Sequence, residues 1–369
     1  MTDTESSAHA APPAGGGFAV REGLPDDWDE QAGDVLATLS SRWINLAEQR
    51  IAGGLRTFGL YDGAGALSVG LCGGVLPEPG EHPRFDPYLV LSGASADTDV
   101  PLAPDGPHPW RGADPAELFP CCLLMFPNYE TAPAGRDARD RAANDAFVAE
   151  LDRWSRRDGV RSTACLYLRS DHGEFVDALV AHGFTLVPMI ERCDLDVRWS
   201  DFDGYLATLP RNRRTSVRRE RREIGERGIT VTERKIAADE PELLRLRCNL
   251  IAKYGGSPDP EREAFSLRYL RDHFGADDLL VIEARKAGRL LGFSMFIADA
   301  GAWTVLMTGT DYDHPDASFT YFETMFYRPA ELAPAAGVAT IGYGIGTIDA
   351  KRSRGCATSM LYAAVRATE

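Results

Sequence analysis

Apolar and polar positions divide the chain into two runs of elements that follow the same order. In the first run, apolar residues at 56–61 and 67–76 flank Asp62-Gly63-Ala64-Gly65, which predicts a hairpin. A Pro- and Gly-rich stretch at 77–115 predicts a connection over the surface. The nearly continuous apolar run 119–126 predicts a strand buried on both faces. Helical spacing at 137–157 (Ala142, Ala146, Phe147, Leu151, Trp154) is followed by a strand at 163–168 and a helix at 174–181 stopped by Gly183. A strand at 184–195 closes this half.

The second run repeats the order. It reads as a helix at 202–227, a strand at 229–233, helices at 241–253 and 261–274, and a meander at 279–284, 290–298 and 303–308. The meander turns fall at Lys286-Ala287-Gly288 and Ala300-Gly301. A Tyr-Phe-rich helix at 321–337 interrupted by Pro329, a glycine-spaced strand at 340–346 and the cationic loop Lys351-Arg352-Ser353-Arg354-Gly355 end the pattern. Two halves in one order predict a tandem α/β (α+β) repeat, each half a mixed central sheet flanked by helices. The expected domains are a tail at 1–17, an N-terminal domain at 18–197 and a catalytic C-terminal domain at 198–369.

Length agrees with two domains, since 369 residues exceed what one core normally serves. No apolar run reaches the roughly 18 residues of a membrane-spanning helix, and the amino-terminal residues read as a flexible tail rather than a signal peptide. A cytoplasmic location is expected. Seven cysteines with no metal-like spacing predict buried thiols and no metal site. A net charge of −15 argues against a surface that grips nucleic acid everywhere. It makes the local basic run Arg211, Arg213, Arg214, Arg218, Arg219, Arg221 and Arg222, with Glu220 its one acid, stand out. Within it Arg211, Arg214, Arg218 and Arg221 recur at helical steps of three and four. Such a face needs an RNA backbone, a phosphopantetheine phosphate or acidic residues of the protein itself to offset its repulsion. Little beyond Asn212 on it could read base edges, so sequence-specific DNA is not expected.

The segment Tyr321-Phe322, Tyr327-Arg328-Pro329-Ala330-Glu331, then Gly342, Gly344, Gly346 and Lys351-x-x-Arg354-Gly355, resembles the Fem-like branch of the GNAT acyltransferase superfamily, its peptidoglycan biosynthesis/recognition members. Gly292-Phe293, the turn Gly309-Thr310-Asp311-Tyr312 and the basic helix beginning Leu209-Pro210-Arg211 fit the same pattern. The resemblance implies two GNAT-like domains and transfer of an acyl or aminoacyl group to an amine. The chain departs from many GNAT enzymes in lacking a clear CoA-phosphate turn; Ala134-Gly135-Arg136 is the nearest remnant.

Chemistry assigns the candidate roles. Lys351 and Arg354, beside a glycine, offer positive charge for a tetrahedral oxyanion or a phosphate; a solvated loop is the alternative. Asp311, Glu323 and Glu331 are the nearby carboxylates able to take a proton from an amine, with Asp311 first and Glu331 equally a partner for an arginine. Tyr321, Tyr327, Arg328 and Tyr343 are candidates to bind the acceptor, or to pack in the core. The expected reaction is amide formation from aminoacyl-tRNA to a small-molecule amine by direct attack, without a metal or other cofactor. An acyl-CoA or carrier-protein thioester donor is the alternative, and a non-catalytic binding module the second. The expected partners are the amine, a tRNA acceptor end or an acyl carrier protein.

Overall fold

The computed structural model of the chain describes residues 15–368 except 34, 52, 95–101, 103–106 and 300. Residues 1–14 of the expected tail, part of the expected 77–115 connection and Ala300 of a predicted turn lie outside the described residues. The described strands are, in chain order, β1 (Gly17–Glu22), β2 (Arg56–Tyr61), β3 (Leu67–Leu76), β4 (Cys121–Leu124), β5 (Ser162–Arg169), β6 (Thr185–Asp196), β7 (Thr230–Lys235), β8 (Leu279–Lys286), β9 (Arg289–Asp299), β10 (Ala302–Thr310), β11 (Thr340–Ile345) and β12 (Ala357–Ala367). They fall into two compact units, one built from residues up to 191 together with those from 359 onward, the other from residues 192–358.

In the first unit, β1 to β4 are antiparallel neighbours, β4 pairs in parallel with β5, and β12 lies antiparallel on β5's other edge. The β2–β3 hairpin turns because the Asp62 carboxylate accepts from the amides of Ala64 and Ala66 at 2.8 and 2.9 Å, holding the turn closed. The helix Arg141–Arg157 starts where Asp140 accepts from the Ala143 amide at 2.8 Å. Its inner face buries Phe147, Leu151 and Trp154, with Phe147 edge-on to Phe18 at 5.6 Å and Trp154 edge-on to Phe58 at 5.4 Å.

The second unit has the same plan. Residues 192–196 of β6 pair with β11, followed by β10, β9, β8 and β7, and again one neighbouring pair, β10 with β11, is parallel. The helices Phe202–Thr208, Arg211–Glu226 and the run from Thr320 to Leu332 share a core with this sheet that includes Tyr205, Val217, Phe296, Trp303, Phe326 and Ile341. The helix Pro241–Lys253 packs against β10. The expected fold class, α/β with a mixed central sheet flanked by helices in each of two units, is the one observed.

Four local differences have physical causes. The helix expected at 202–227 is broken at Leu209-Pro210, where proline has no amide to continue the ladder. The helix expected from 321 contains a π-helical turn, Glu323–Tyr327, directly before the segment Arg328–Leu332. Pro329 deprives a preceding carbonyl of its donor, and a wider turn relieves the clash of its ring. The cationic segment is not a loop throughout, because Lys351 and Arg352 end a short helix, Ile348–Arg352, entered through Thr347 at φ 45°. Beyond Gly355 the chain continues into β12 rather than ending in a loop.

Gly309 sets how closely the helix Pro241–Lys253 approaches β10, since a Cβ there would lie 2.7 Å from both the Leu246 carbonyl carbon and the Phe293 ring. Backbone on one side and a buried ring on the other leave no room to yield. Gly309→Ala is expected to destabilise the second unit by about 1–3 kcal/mol, read as a lowered denaturant midpoint. An unchanged midpoint would mean the helix stands further off.

Candidate active site

The second unit opens where its two parallel strands part. β10 and β11 pair only at Ala302↔Thr340, Trp303↔Ile341 and Thr304↔Gly342. Past that point β10 stays on β9 as far as Thr310↔Gly292, and β11 stays on β6 as far as Ile345↔Arg192. Each strand carries an irregularity at the separation, between Val305 and Met307 on β10 and between Gly342 and Gly344 on β11. Bulges of this kind bend a strand and end its pairing. The result is a crevice outside the carboxyl ends of parallel strands, the usual ligand position in α/β sheets. Gly344 and Gly346, at φ 62° and 77°, turn the chain at the end of β11 in a conformation that disfavours side chains.

Lys351 is bound up in this turn. Its ammonium donates to the carbonyls of Tyr343, Gly344 and Ile345 at 2.7, 3.1 and 2.7 Å, and the residue is buried. Burial pushes its pKa down to about 8, while three carbonyl acceptors favour the charged form. All three donors of the ammonium are engaged by the backbone.

Arg354, Tyr327 and Glu220 form a second buried group. The Tyr327 hydroxyl donates to Glu220, Arg354 Nε donates to the Tyr327 hydroxyl at 3.2 Å, and the guanidinium lies 3.5 Å from the Phe322 ring centroid. The Arg354 carbonyl accepts from Tyr205 at 2.9 Å. Burial first, then the Glu220 carboxylate, push the Tyr327 phenol up. Glu220, the lone acid of the basic run, is thus the inward-facing partner of the tyrosine-arginine pair.

A third group surrounds Arg221, whose guanidinium bridges Glu323 at 2.9 Å and Glu331 at 2.8 Å and lies 4.2 Å from the Phe202 ring centroid. Arg328 joins it, pairing with Glu331 and with Glu233, each at 2.8 Å. Burial raises the Glu323 pKa despite Arg221. Burial acts the same way on Glu331, but hydrogen bonds from Arg221 and Arg328 hold its carboxyl below the usual range. Arg221 therefore turns inward, whereas Arg211 and Arg218 are exposed and Arg214 half-buried on the outer side of the helix. Arg218, Arg219 and Arg222 reach Asp203, Glu223 and Glu226 at 3.5, 3.7 and 3.6 Å, loose surface pairs worth little.

Asp311 pairs with two arginines that belong to none of these three groups. Its buried carboxylate takes Arg289 at 2.7 Å and Arg245 at 3.2 Å, so that despite burial its pKa is lowered by the two guanidiniums. Tyr343 packs on Phe326 at 4.7 Å with its hydroxyl buried and unpartnered, and Tyr321 lies near Thr347 at the crevice. Arg245, Arg289 and Thr347 belong to no motif in the sequence. In the first unit, Ala134-Gly135-Arg136 cannot cradle a phosphate. Its amides, with that of Asp137, donate to the carbonyls of Gly70, Ala32, Leu67 and Ser68.

Residues 133–369 match the FemAB-like family, described as peptidoglycan biosynthesis/recognition. The chain belongs to this family. It is an acyltransferase, as its expected activity class required. Among solved structures FemX shares the fold at 11% identity, with 87% of this chain and 90% of FemX covered and a TM-score of 0.54. A tandem GNAT protein from the clavulanic acid biosynthesis pathway is similar at 11% identity over 95% of this chain and 99% of its own, with a TM-score of 0.46. The C-terminal domain of a lysylphosphatidylglycerol synthetase from Agrobacterium fabrum, described as putative, is similar at 14% identity over 66% and 77%, with a TM-score of 0.48. No curated protein matches the sequence. Among the described residues no helix is long and apolar enough to cross a membrane.

The Asp311 cluster has a definite pH signature. A carboxyl with its folded pKa below the ordinary 3.8 stabilises the fold above that value and loses this contribution as pH falls through the folded pKa. Asp311→Asn is therefore expected to lower the denaturant midpoint at pH 7, with the gap from the parent protein narrowing below about pH 4. A gap that stays constant from pH 7 to pH 3 would refute the double ion pair.

Proposed function

We propose that the protein forms an amide by moving an aminoacyl group from aminoacyl-tRNA to the primary amine of an acceptor held at the β10–β11 crevice. The observation that carries this reading is the outer side of Arg211–Glu226, where Arg211, Arg214, Arg218, Arg219 and Arg222 gather positive charge on a chain of net charge −15. A polyphosphate backbone is the complementary ligand for such a surface. The family's description favours an acceptor amine carried by a cell-wall peptide precursor, and a cytoplasmic reaction would meet both substrates.

In this reaction the amine nitrogen attacks the ester carbon and the new C–N bond forms. The C–O bond to the ribose breaks, and the amine's proton passes to the departing ribose oxygen. The acceptor, an ammonium at neutral pH, first gives one proton to solvent water, and the neutral amine that results is the attacking species; no protein base is assigned, because Asp311, Glu323 and Glu331 are each committed to arginines. Backbone amides on the parted strand edges are the donors we assign to the developing oxyanion. Lys351 acts as a positioning residue, holding the end of β11 through its three carbonyls.

An acyl thioester of CoA or of a carrier protein is the second reading. The edge left between β10 and β11 suits an extended amide-bearing arm, which could pair with it as a strand would.

Assay of the purified chain with charged tRNAs, acyl-CoAs and a panel of amines separates these donors. Amide product that depends on charged tRNA supports the first reading, and turnover with acyl-CoA alone overturns it. For tRNA, Arg218→Glu with Arg222→Glu should raise KM by roughly tenfold or more and flatten the salt dependence, while kcat changes little. Equal KM for parent and variant would remove the basic face from the donor site.

A further inference from the structure

Two exposed tyrosines near the end of β10 lie outside the three charged groups. Tyr254 and Tyr312 are 68% and 38% exposed, unusual for such large rings. Tyr254 follows the last residue of the helix Pro241–Lys253, and Tyr312 follows Asp311 directly after β10. The Arg245–Asp311 ion pair and the close packing of Leu246 on Gly309 fix the helix to the strand end, and each ring lies within two residues of one of these elements. Tyr321, in the short helix Thr320–Phe322 that follows β10, is half-buried. An ammonium already occupies this aromatic surface: Lys253 Nζ lies 3.6 Å from the centroid of the Tyr312 ring.

Aromatic faces attract cations through their quadrupole, and clusters of them select ammonium ligands. An amine acceptor is an ammonium at neutral pH. We propose that Tyr312, flanked by Tyr254 and Tyr321, is the docking site for the acceptor's alkylammonium group, and that Lys253 is an internal stand-in which the acceptor displaces. Resting on the transferase reading above, this names where and by what chemistry the acceptor is recognised. It makes Tyr312 a specificity residue and Lys253 a competitor. Because Lys253 is an exposed side chain at a helix end, its displacement requires no backbone change.

The test uses the full chain and n-butylammonium as the probe, with n-butanol as the uncharged control, followed by NMR of the tyrosine rings. Lys253→Ala is expected to bind butylammonium at least threefold more tightly than the parent chain and to leave butanol unbound. Adding Tyr312→Ala to Lys253→Ala should abolish the binding, whereas Tyr312→Phe, which keeps the ring face, should retain it. Equal binding of butanol, no binding by Lys253→Ala, or binding that survives Tyr312→Ala would each overturn the proposal. The probe is read without any donor, so the outcome is separable from the function. Ammonium binding at Tyr312 together with no amide product in the separate assay with charged tRNAs, acyl-CoAs and amines would sink the proposed aminoacyl transfer alone. Product formation with an acceptor KM unmoved by Tyr312→Ala would sink this inference alone.

Discussion

Where β10 and β11 part after Thr304 and Gly342, backbone groups that a parallel ladder would satisfy lose their strand partner, and the rest of the second unit is arranged around that separation. An unpaired backbone group costs free energy unless water, a side chain or a ligand takes it. The protein maintains the gap from both sides. On β11, Lys351 gathers three successive carbonyls into one turn, which sets the strand's direction as it leaves Gly342. On β10, the ion pairs of Asp311 with Arg245 and Arg289 hold the strand end to a helix and to the start of β9. Residues that look catalytic by type are thus tied to backbone carbonyls or to arginines on either side of the opening.

The helix run between these strands is tied down by charge rather than by apolar packing alone. Arg221 and Arg354 each meet carboxylates in buried or half-buried surroundings and each also lies on an aromatic ring. Such pairs add little net stability compared with apolar residues, but removing one partner leaves a costly buried charge. Their contribution is definition. They tie residues at both ends of the wide turn Glu323–Tyr327, Glu323 to Arg221 and Tyr327 to Arg354 and Glu220.

Much of the architecture was legible because local signals agreed with tertiary ones. The 67–76 strand, the 241–253 helix and the meander from β8 to β10 follow their periodicity, and the turn at Ala287-Gly288, with φ of 47° and 82°, suits the two-residue hairpin predicted there. The residues of the candidate site were legible as types but not as partners. Nothing in the spacing of Arg245, Arg289 and Asp311 announces that they meet, since they converge only through three elements of the folded unit. The arginine helix shows the same limit. Periodicity puts Arg221 near the face of Arg211, Arg214 and Arg218, yet its guanidinium is taken up by two glutamates 102 and 110 residues away, which no spacing announces.

The strand β12 belongs to the sheet of the first unit, although it is the last strand described. During synthesis, β5 therefore waits for a partner that leaves the ribosome only after roughly 190 further residues, about ten seconds or more at ordinary elongation rates. Throughout that interval one edge of a long apolar strand is open to pairing with another chain. The first unit is thus a folding problem of the nascent polypeptide as a whole, and cutting the gene between the two units would give a fragment that lacks one of its own strands.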